Sequence, residues 1–334
     1  MNEFELIDRF FARAVPAGSL VVQGVGDDCA LLDGGDRLLA ITTDLLVEGS
    51  HFLPGADPEA LGHKALAVNL SDLAAAGASP RAFQLALALP RADEAWLERF
   101  CRGLYALADA HGCVLAGGDT TRVPKLAVAG ADAIDGPLTI CITALGDVPR
   151  GLALTRGGAR VGDDLWLSGS TGDARAALAL RCGELTGVPA ADVAAFGRRM
   201  DRPQPRVALG VALRGVATAA IDVSDGLLGD LRHILERSRV GAVLAWPDVP
   251  RSDALRRLSA ELQQAYALAG GDDYELLFTA PVAQRAAVEA AGAAVAIAVT
   301  RIGRIVEEAQ GLRIFDAGGA ELPLRWQAFD HFSG

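Results

Sequence analysis

The chain has 334 residues, 51% of them hydrophobic and 22% charged, which suits a globular protein of two domains, each with its own core, and excludes a disordered chain or a coiled coil. A formal net charge of −11 works against non-specific binding to nucleic acid or to an anionic membrane, since both need a cationic face. Five scattered cysteines without a CxxC pair, an acidic N-terminus and the lack of any apolar run near the ~18 residues of a membrane span predict a soluble, cytoplasmic protein without a disulfide framework. In chain order, Leu20–Val22 and Leu38–Thr42 read as short strands, and Asp57-Pro58 opens a helix running to about Asn69. Phe83–Leu89 reads as a strand, followed by a helix whose apolar face carries Trp96, Phe100, Leu104 and Leu107 and which stops at Gly112. Val114–Ala116 is a strand ending on Gly117-Gly118-Asp119, and Leu138–Leu145 is another. The segment Gly146–Gly162, rich in glycine with one proline, reads as the junction between domains 1–150 and 151–334. Beyond it the pattern predicts strands at Leu165–Leu167, Thr218–Ile221 and Glu275–Thr279, with helices over Asp173–Arg181, Arg206–Leu213 and Leu227–Arg237. The fold class is therefore mixed α/β or α+β.

Six short segments set an aspartate beside glycine, serine or threonine: GVGDD (24–28), TTD (42–44), NLSD (69–72), GGDTT (117–121), DVSDG (222–226) and GGDDYE (270–275). Read as loops at strand ends with no lysine or arginine among them, they would gather carboxylates, an arrangement that is unfavourable unless a cation is present. Hard oxygen ligands of this kind suit several Mg²⁺ ions and a polyphosphate. Each motif alone has a plainer reading. GVGDD is equally a solvated Gly-Asp turn, TTD a helix or turn cap, and Asp72 an ordinary N-cap. The spacing of NLSD to GGD repeats between DVSD and the second GGD, and coincidence is the simpler account of it. The chain has only two lysines, Lys64 and Lys125, and no GxxxxGK[ST], so a P-loop and a protein-kinase site are excluded. Gly117-Gly118-Asp119 could instead offer backbone N–H groups to a phosphate, with Arg156 as a cationic donor; Arg156 is equally an exposed surface arginine.

Taken in order, GVGDDCALL, TTDLLVEGSHF, NLSDLAAAGA, GGDTT, IDVSDGLLGDL, GGDDYELLFT and the terminal FDHF resemble the thiamine-monophosphate kinase family, part of the ATP-binding superfamily that includes aminoimidazole ribonucleotide synthetase and selenophosphate synthetase. The resemblance implies the two-domain synthetase-like fold, with N-terminal sheets pairing into a barrel across a homodimer. It implies Asp27, Thr42, Thr43, Asp44, Asp72, Asp119, Asp222 and Asp225 as ligands of a multi-Mg²⁺ cluster, and leaves room for a monovalent cation. It places Gly118, Asp119, Arg156 and Ser224 at ATP and His51 at the substrate. Asp272 falls where the family has a glutamate, one methylene longer, that reaches the thiamine moiety; Phe329 or Trp326 would supply an aromatic beside it. Residues 123–135 look like an insertion.

Both lines lead to ATP-dependent phosphorylation of thiamine monophosphate by direct in-line transfer, with no residue needed as a strong general base. The alternatives are another ATP-dependent reaction of the same superfamily or a non-catalytic metal- or nucleotide-binding relative. Selenide activation is disfavoured because residues 1–23 hold no cysteine.

Overall fold

The computed structural model describes residues 3–125 and 135–325, in two sheets flanked by helices. The first sheet is built from β1 (Val21–Gln23), β2 (Ala30–Asp33), β3 (Arg37–Val47), β4 (Ser79–Leu89), β5 (Val114–Arg122) and β6 (Thr139–Pro149), in the order β1-β2-β3-β6-β4-β5. All pairs are antiparallel except β4 with β5. Strict alternation decides which face is covered: in β6, Ile140, Ile142, Ala144 and Val148 are buried while Thr139, Cys141, Thr143 and Leu145 between them are half-buried on the opposite face.

Three helices belong to this half: α1 (Glu3–Phe10), α2 (Pro58–Ala75) and α3 (Glu94–Ala110). Asp57 caps α2, its Oδ1 accepting the Ala60 N–H at 2.9 Å, with Pro58 in the first turn where a missing N–H costs nothing. Asp93 caps α3 in the same way, through the Trp96 N–H at 3.1 Å. Helix α2 is buried on nearly every side, as a helix apolar all round must be. Its contact with α3 is so close that a Cβ on Gly62 would stand 2.0 Å from the Phe100 carbonyl oxygen, and one on Gly103 would stand 1.8 Å from that of Glu59. Glycine is required at both positions.

The second sheet contains β7 (Asp164–Ser168), β8 (Ala219–Asp222), β9 (Val240–Ala245), β10 (Leu276–Ala280), β11 (Val299–Glu307), β12 (Leu312–Phe315) and β13 (Glu321–Leu322), ordered β13-β12-β9-β11-β7-β10-β8. Only β12 and β9 run parallel. Around it lie α4 (Asp173–Arg181), α5 (Ala190–Asp201), α6 (Val207–Ala212), α7 (Leu227–Ser238), α8 (Asp253–Arg256), α9 (Ala260–Ala269) and α10 (Arg285–Ala294). One apolar core belongs to this half alone, with Leu165, Phe196, Leu231 and Ile302 fully buried. The other is shared: it runs from Phe83 and Ile142 through Leu66 and Leu70 of α2 to Leu209 and Phe278. Helix α2 is thus the layer between the two sheets, and residues on it can face either half. Among the described residues no helix is long and apolar enough to cross a membrane.

Several motifs lie inside regular elements rather than at their ends. The strand expected to stop at Thr42 continues to Val47, because Thr42 and Asp44 keep the period of two set by Leu38 and Ala40 and all eleven residues pair with β6. The helix expected to end at Asn69 continues to Ala75, so Asp72 is a helical residue and not a cap; Asn69 Nδ2 bonds back to the Ala65 carbonyl at 3.2 Å without breaking the turn. GGDTT lies within β5 rather than beyond it, and Gly146–Pro149 complete β6. Asp72 and Asp225 therefore occupy unlike settings, a helix and a loop, despite the repeated spacing of their motifs.

Candidate active site

Where α2 passes between the sheets, three carboxylates converge. Asp28 from the turn after β1, Asp72 from α2 and Asp222 from the end of β8 each place an oxygen within 4.8 Å of the others. Neighbouring hydroxyls orient them. Ser71 Oγ donates to Asp222 Oδ2 at 2.5 Å, and Thr42 Oγ1 donates to Asp72 Oδ2. Asp44, one pleat along β3 from Thr42, faces the same group. Thr43 points to the other face and pairs with Thr143 Oγ1 at 2.9 Å.

Crowding and burial dominate the electrostatics of the group. Burial is the largest cause raising Asp44, Asp222 and Asp72: Asp44 to about 6, with the charges of Asp225 and Asp28 adding to it; Asp222 to about 8, with Asp28 adding; Asp72 well above the ordinary range, with Asp44 and Asp222 adding. Asp28 Oδ2 and Asp44 Oδ2 are buried without a hydrogen-bond partner among the described residues. Orphaned carboxylate oxygens in an all-oxygen donor set fit a hard divalent cation such as Mg²⁺.

The expectation that no basic residue stands among the acids is not met. Arg156 Nη2 lies 2.6 Å from Asp28 Oδ1, and its backbone N–H reaches Asp27 Oδ2 at 3.1 Å. Of the two carboxylates in the GVGDD turn, it is Asp28 that joins Asp72 and Asp222, while Asp27 faces the Arg156 amide; burial and the charge of Asp28 raise Asp27 to about 6. Lys64 Nζ is 2.7 Å from Asp272 Oδ2. Both pairings come from residues distant in sequence, which is why motif inspection misses them.

Two clefts flank the carboxylate group. One, of about 560 Å³, is lined by Asp27, Asp28, Thr42, Arg156 and His233. The other, of about 450 Å³, is lined by Asp44, His51, Asp72, Ser224, Asp225 and Asp272 among others. The expected nucleotide contacts are divided, since Arg156 lies in the first cleft and Ser224 in the second beside the expected substrate contacts His51 and Asp272. His51 Nδ1 accepts the Val47 N–H at 3.1 Å, which fixes the ring orientation and leaves a proton for Nε2.

Two further buried acids hold neighbouring segments in place, and the sequence motifs that contain them give neither a role. Asp230, in the first turn of α7, accepts the backbone N–H groups of Ser224, Asp225 and Gly226 at 3.1–3.2 Å and so folds the DVSDG loop. Within the IDVSDGLLGDL motif it is marked only as an acid four residues into a helix that follows a glycine. Glu275 is fully buried, bonded by Ser168 Oγ at 2.6 Å, Arg199 at 2.7 Å and Arg206 at 2.5 Å. Although burial is the largest influence and opposes ionisation, the hydrogen bonds and charges of the two guanidiniums hold its carboxyl below the usual range.

Gly118 and Asp119 stay apart from the group. In the first sheet Asp44 pairs with Ile142, Ile142 with Leu85 and Leu85 with Gly118. Asp44 and Gly118 are therefore three strand spacings apart, about 14 Å, and Asp119 of the same chain cannot share an ion with Asp44. Both residues lie on the edge strand β5, where residues 116–122 are exposed. Trp326, Phe329 and most of the 123–135 segment fall outside the described residues.

Comparison with known proteins gives this arrangement its family. Residues 26–148 match the model for the N-terminal domain of AIR synthase related proteins, and residues 160–314 match the model for their C-terminal domain. The thiamine-monophosphate kinase of Escherichia coli K12 is 44% identical over 334 aligned residues, covering 99% of this chain and 98% of its own. The chain belongs to the thiamine-monophosphate kinase family. The crystal structure of the thiamine-monophosphate kinase from Stenotrophomonas maltophilia K279a superposes with a TM-score of 0.77 at 46% identity, covering 93% of this chain and 96% of that one. The structure of AaThiL in complex with AMPPCP and TMP has a TM-score of 0.79 at 30% identity, covering 99% and 97%. The expected kinship and the mixed α/β synthetase-like fold are thereby met.

Proposed function

We propose that this chain transfers the terminal phosphoryl group of ATP to thiamine monophosphate, giving thiamine diphosphate. The observation that carries the reading is the buried group Asp28, Asp72 and Asp222, with Asp44 beside it, at the meeting of two clefts in a chain of this family. A relative described with both an ATP analogue and TMP supports two ligands side by side. Release of ADP in a coupled assay with thiamine monophosphate, and none with thiamine, is the expected result; efficient turnover of thiamine would refute it.

Asp28, Asp44, Asp72 and Asp222, with the Thr42 hydroxyl, would hold Mg²⁺; Asp225, whose charge acts on Asp44, and Asp27 would take part through the second and first clefts. Bound metal would neutralise the charge that develops between donor and acceptor phosphates. The chain's own residues supply position. Arg156 holds the Asp27-Asp28 turn, Ser71 and Thr42 aim Asp222 and Asp72, and Asp230 keeps the 224–226 amides in place. His51 and Asp272 would contact the thiamine body, with Phe329 or Trp326 stacking near it.

A homodimer completes this reading. Gly118 and Asp119 would serve the site only if a second copy brought its β5 beside the group, and the open face of the first sheet, with Leu45 52% exposed, offers a surface for that pairing. The halves 1–150 and 151–334 then have distinct tasks, the first carrying dimerisation and most metal ligands and the second closing the substrate cleft. Free cysteines throughout favour the cytoplasm.

A further inference from the structure

Lys64 is an unexpected residue where it stands. The residues one turn from it on α2 are Ala60, Leu61, Ala67 and Val68, it is 4% exposed, and it is one of two lysines in the chain. A buried ammonium is costly unless paired, and its partner here is Asp272. Lysine presents a single donor to one carboxylate oxygen, where an arginine fork would engage both. The other oxygen, Oδ1, accepts the Tyr274 hydroxyl at 3.0 Å. Asp272 and Tyr274 both adopt left-handed backbone, φ +69° and +52°, which for residues other than glycine is uncommon and carries a cost. Backbone bonds from Asp272 N–H to the Ser224 carbonyl and from Tyr274 N–H to the Val223 carbonyl, both 2.8 Å, hold the strained segment against the DVSDG loop. The carboxylate is thus fixed at both oxygens, yet keeps its remaining lone pairs and a third of its surface towards the second cleft.

We infer that Lys64 is a positioning residue for recognition of the non-phosphate part of the acceptor, acting through Asp272. The inference rests on the proposed reaction and deepens it. Lys64 and Asp72 lie eight residues apart on the same helix, a rise of about 12 Å. One rigid element, buried between the sheets, therefore sets the distance from the carboxylates grouped around Asp72 to the carboxylate that reads the far end of the substrate. Tying back the aspartate to Lys64 also gives this chain a defined place for a side chain one methylene shorter than glutamate.

Steady-state kinetics on the full chain test this with Lys64→Met, Asp272→Asn and the double variant. Lys64→Met is expected to raise the KM for thiamine monophosphate by about fivefold or more while the KM for ATP stays within about twofold, and the double variant is expected to be no worse than Asp272→Asn alone. Should Lys64→Met not fold, Tyr274→Phe removes the other bond to Asp272 and is expected to raise the same KM by about threefold. Equal rises in both KM values, additive effects in the double variant, or wild-type KM values in Lys64→Met would each overturn the inference while leaving the reaction intact. A wild-type protein that releases no ADP with thiamine monophosphate would instead remove the reaction and the inference together.

Discussion

Ser71 Oγ on α2 donates to Asp222 Oδ2 at the end of β8, a 2.5 Å bond that joins the layer between the sheets to the second sheet itself. Both groups are buried, so the bond orients a carboxylate that has few other choices. Ser71→Ala should cost about 1 kcal/mol of stability and lower kcat by about tenfold, because Asp222 loses its only described side-chain donor. Urea unfolding and the ADP-release assay measure the two effects. Unchanged kcat would show that Asp222 is held by other means.

Asp44→Asn separates the metal reading from a merely structural one. Removing a buried charge from a crowd of acids should stabilise the divalent-free protein at pH 8 by about 1 kcal/mol, since Asp44, titrating near about 6, is ionised there at a cost from burial and neighbouring acids. The same change should lower turnover by about a hundredfold or more. A variant that is both less stable without metal and fully active with it would contradict the assignment.

The pH dependence of the metal-free protein follows from the raised acids. Asp44 titrates near about 6 and Asp222 near about 8 in the folded chain, against ordinary carboxylate values when unfolded. Their contribution to stability is therefore full below about pH 4 and is lost as pH rises through about 6 and then about 8. Mg²⁺ displaces the protons, so its stabilising effect should be larger at pH 8 than at pH 5.5. Thermal melts with and without Mg²⁺ across this range would show the difference, and an Mg²⁺ effect independent of pH would exclude these acids as ligands.

Glu275 gives the opposite sign. Arg199 and Arg206 lower it, so its contribution is present above the unfolded glutamate range and is lost as pH falls through the depressed folded value. Glu275→Gln leaves two guanidiniums facing a neutral amide in a buried position and should cost about 3 kcal/mol. Equilibrium unfolding at pH 7 tests this; a loss below about 1 kcal/mol would mean that solvent reaches the arginines.

Much of this was legible in the sequence because it is local. The capped start of α2, the apolar face of α3, the strand character of 138–145 and the ordered aspartate motifs are read within a few residues. What was not legible depends on contacts between distant segments. Polar residues in Thr42-Thr43-Asp44 and Asn69-Leu70-Ser71-Asp72 look like the ends of elements, yet the pairing of β3 with β6 and the packing of α2 on all sides carry strand and helix through them. The pairing of Asp27 and Asp28 with Arg156 spans more than a hundred residues, and the pairing of Asp272 with Lys64 more than two hundred.

The separation of Asp44 from Asp119 by three strand spacings makes the dimer testable through activity rather than size alone. If each site takes Asp44 from one subunit and Asp119 from the other, Asp44→Ala and Asp119→Ala are each inactive, but a mixed dimer of the two has one site with both residues intact. Coexpression of the variants at equal levels gives half mixed dimers, each with one of two sites working, so activity should return to about a quarter of wild type. Asp119, exposed on β5, contributes little to folding, and the two inactive variants should remain as stable as their roles predict. A sedimentation measurement on the mixture checks that pairing has occurred. Mixed dimers without recovered activity would show that Asp119 does not complete a partner's site.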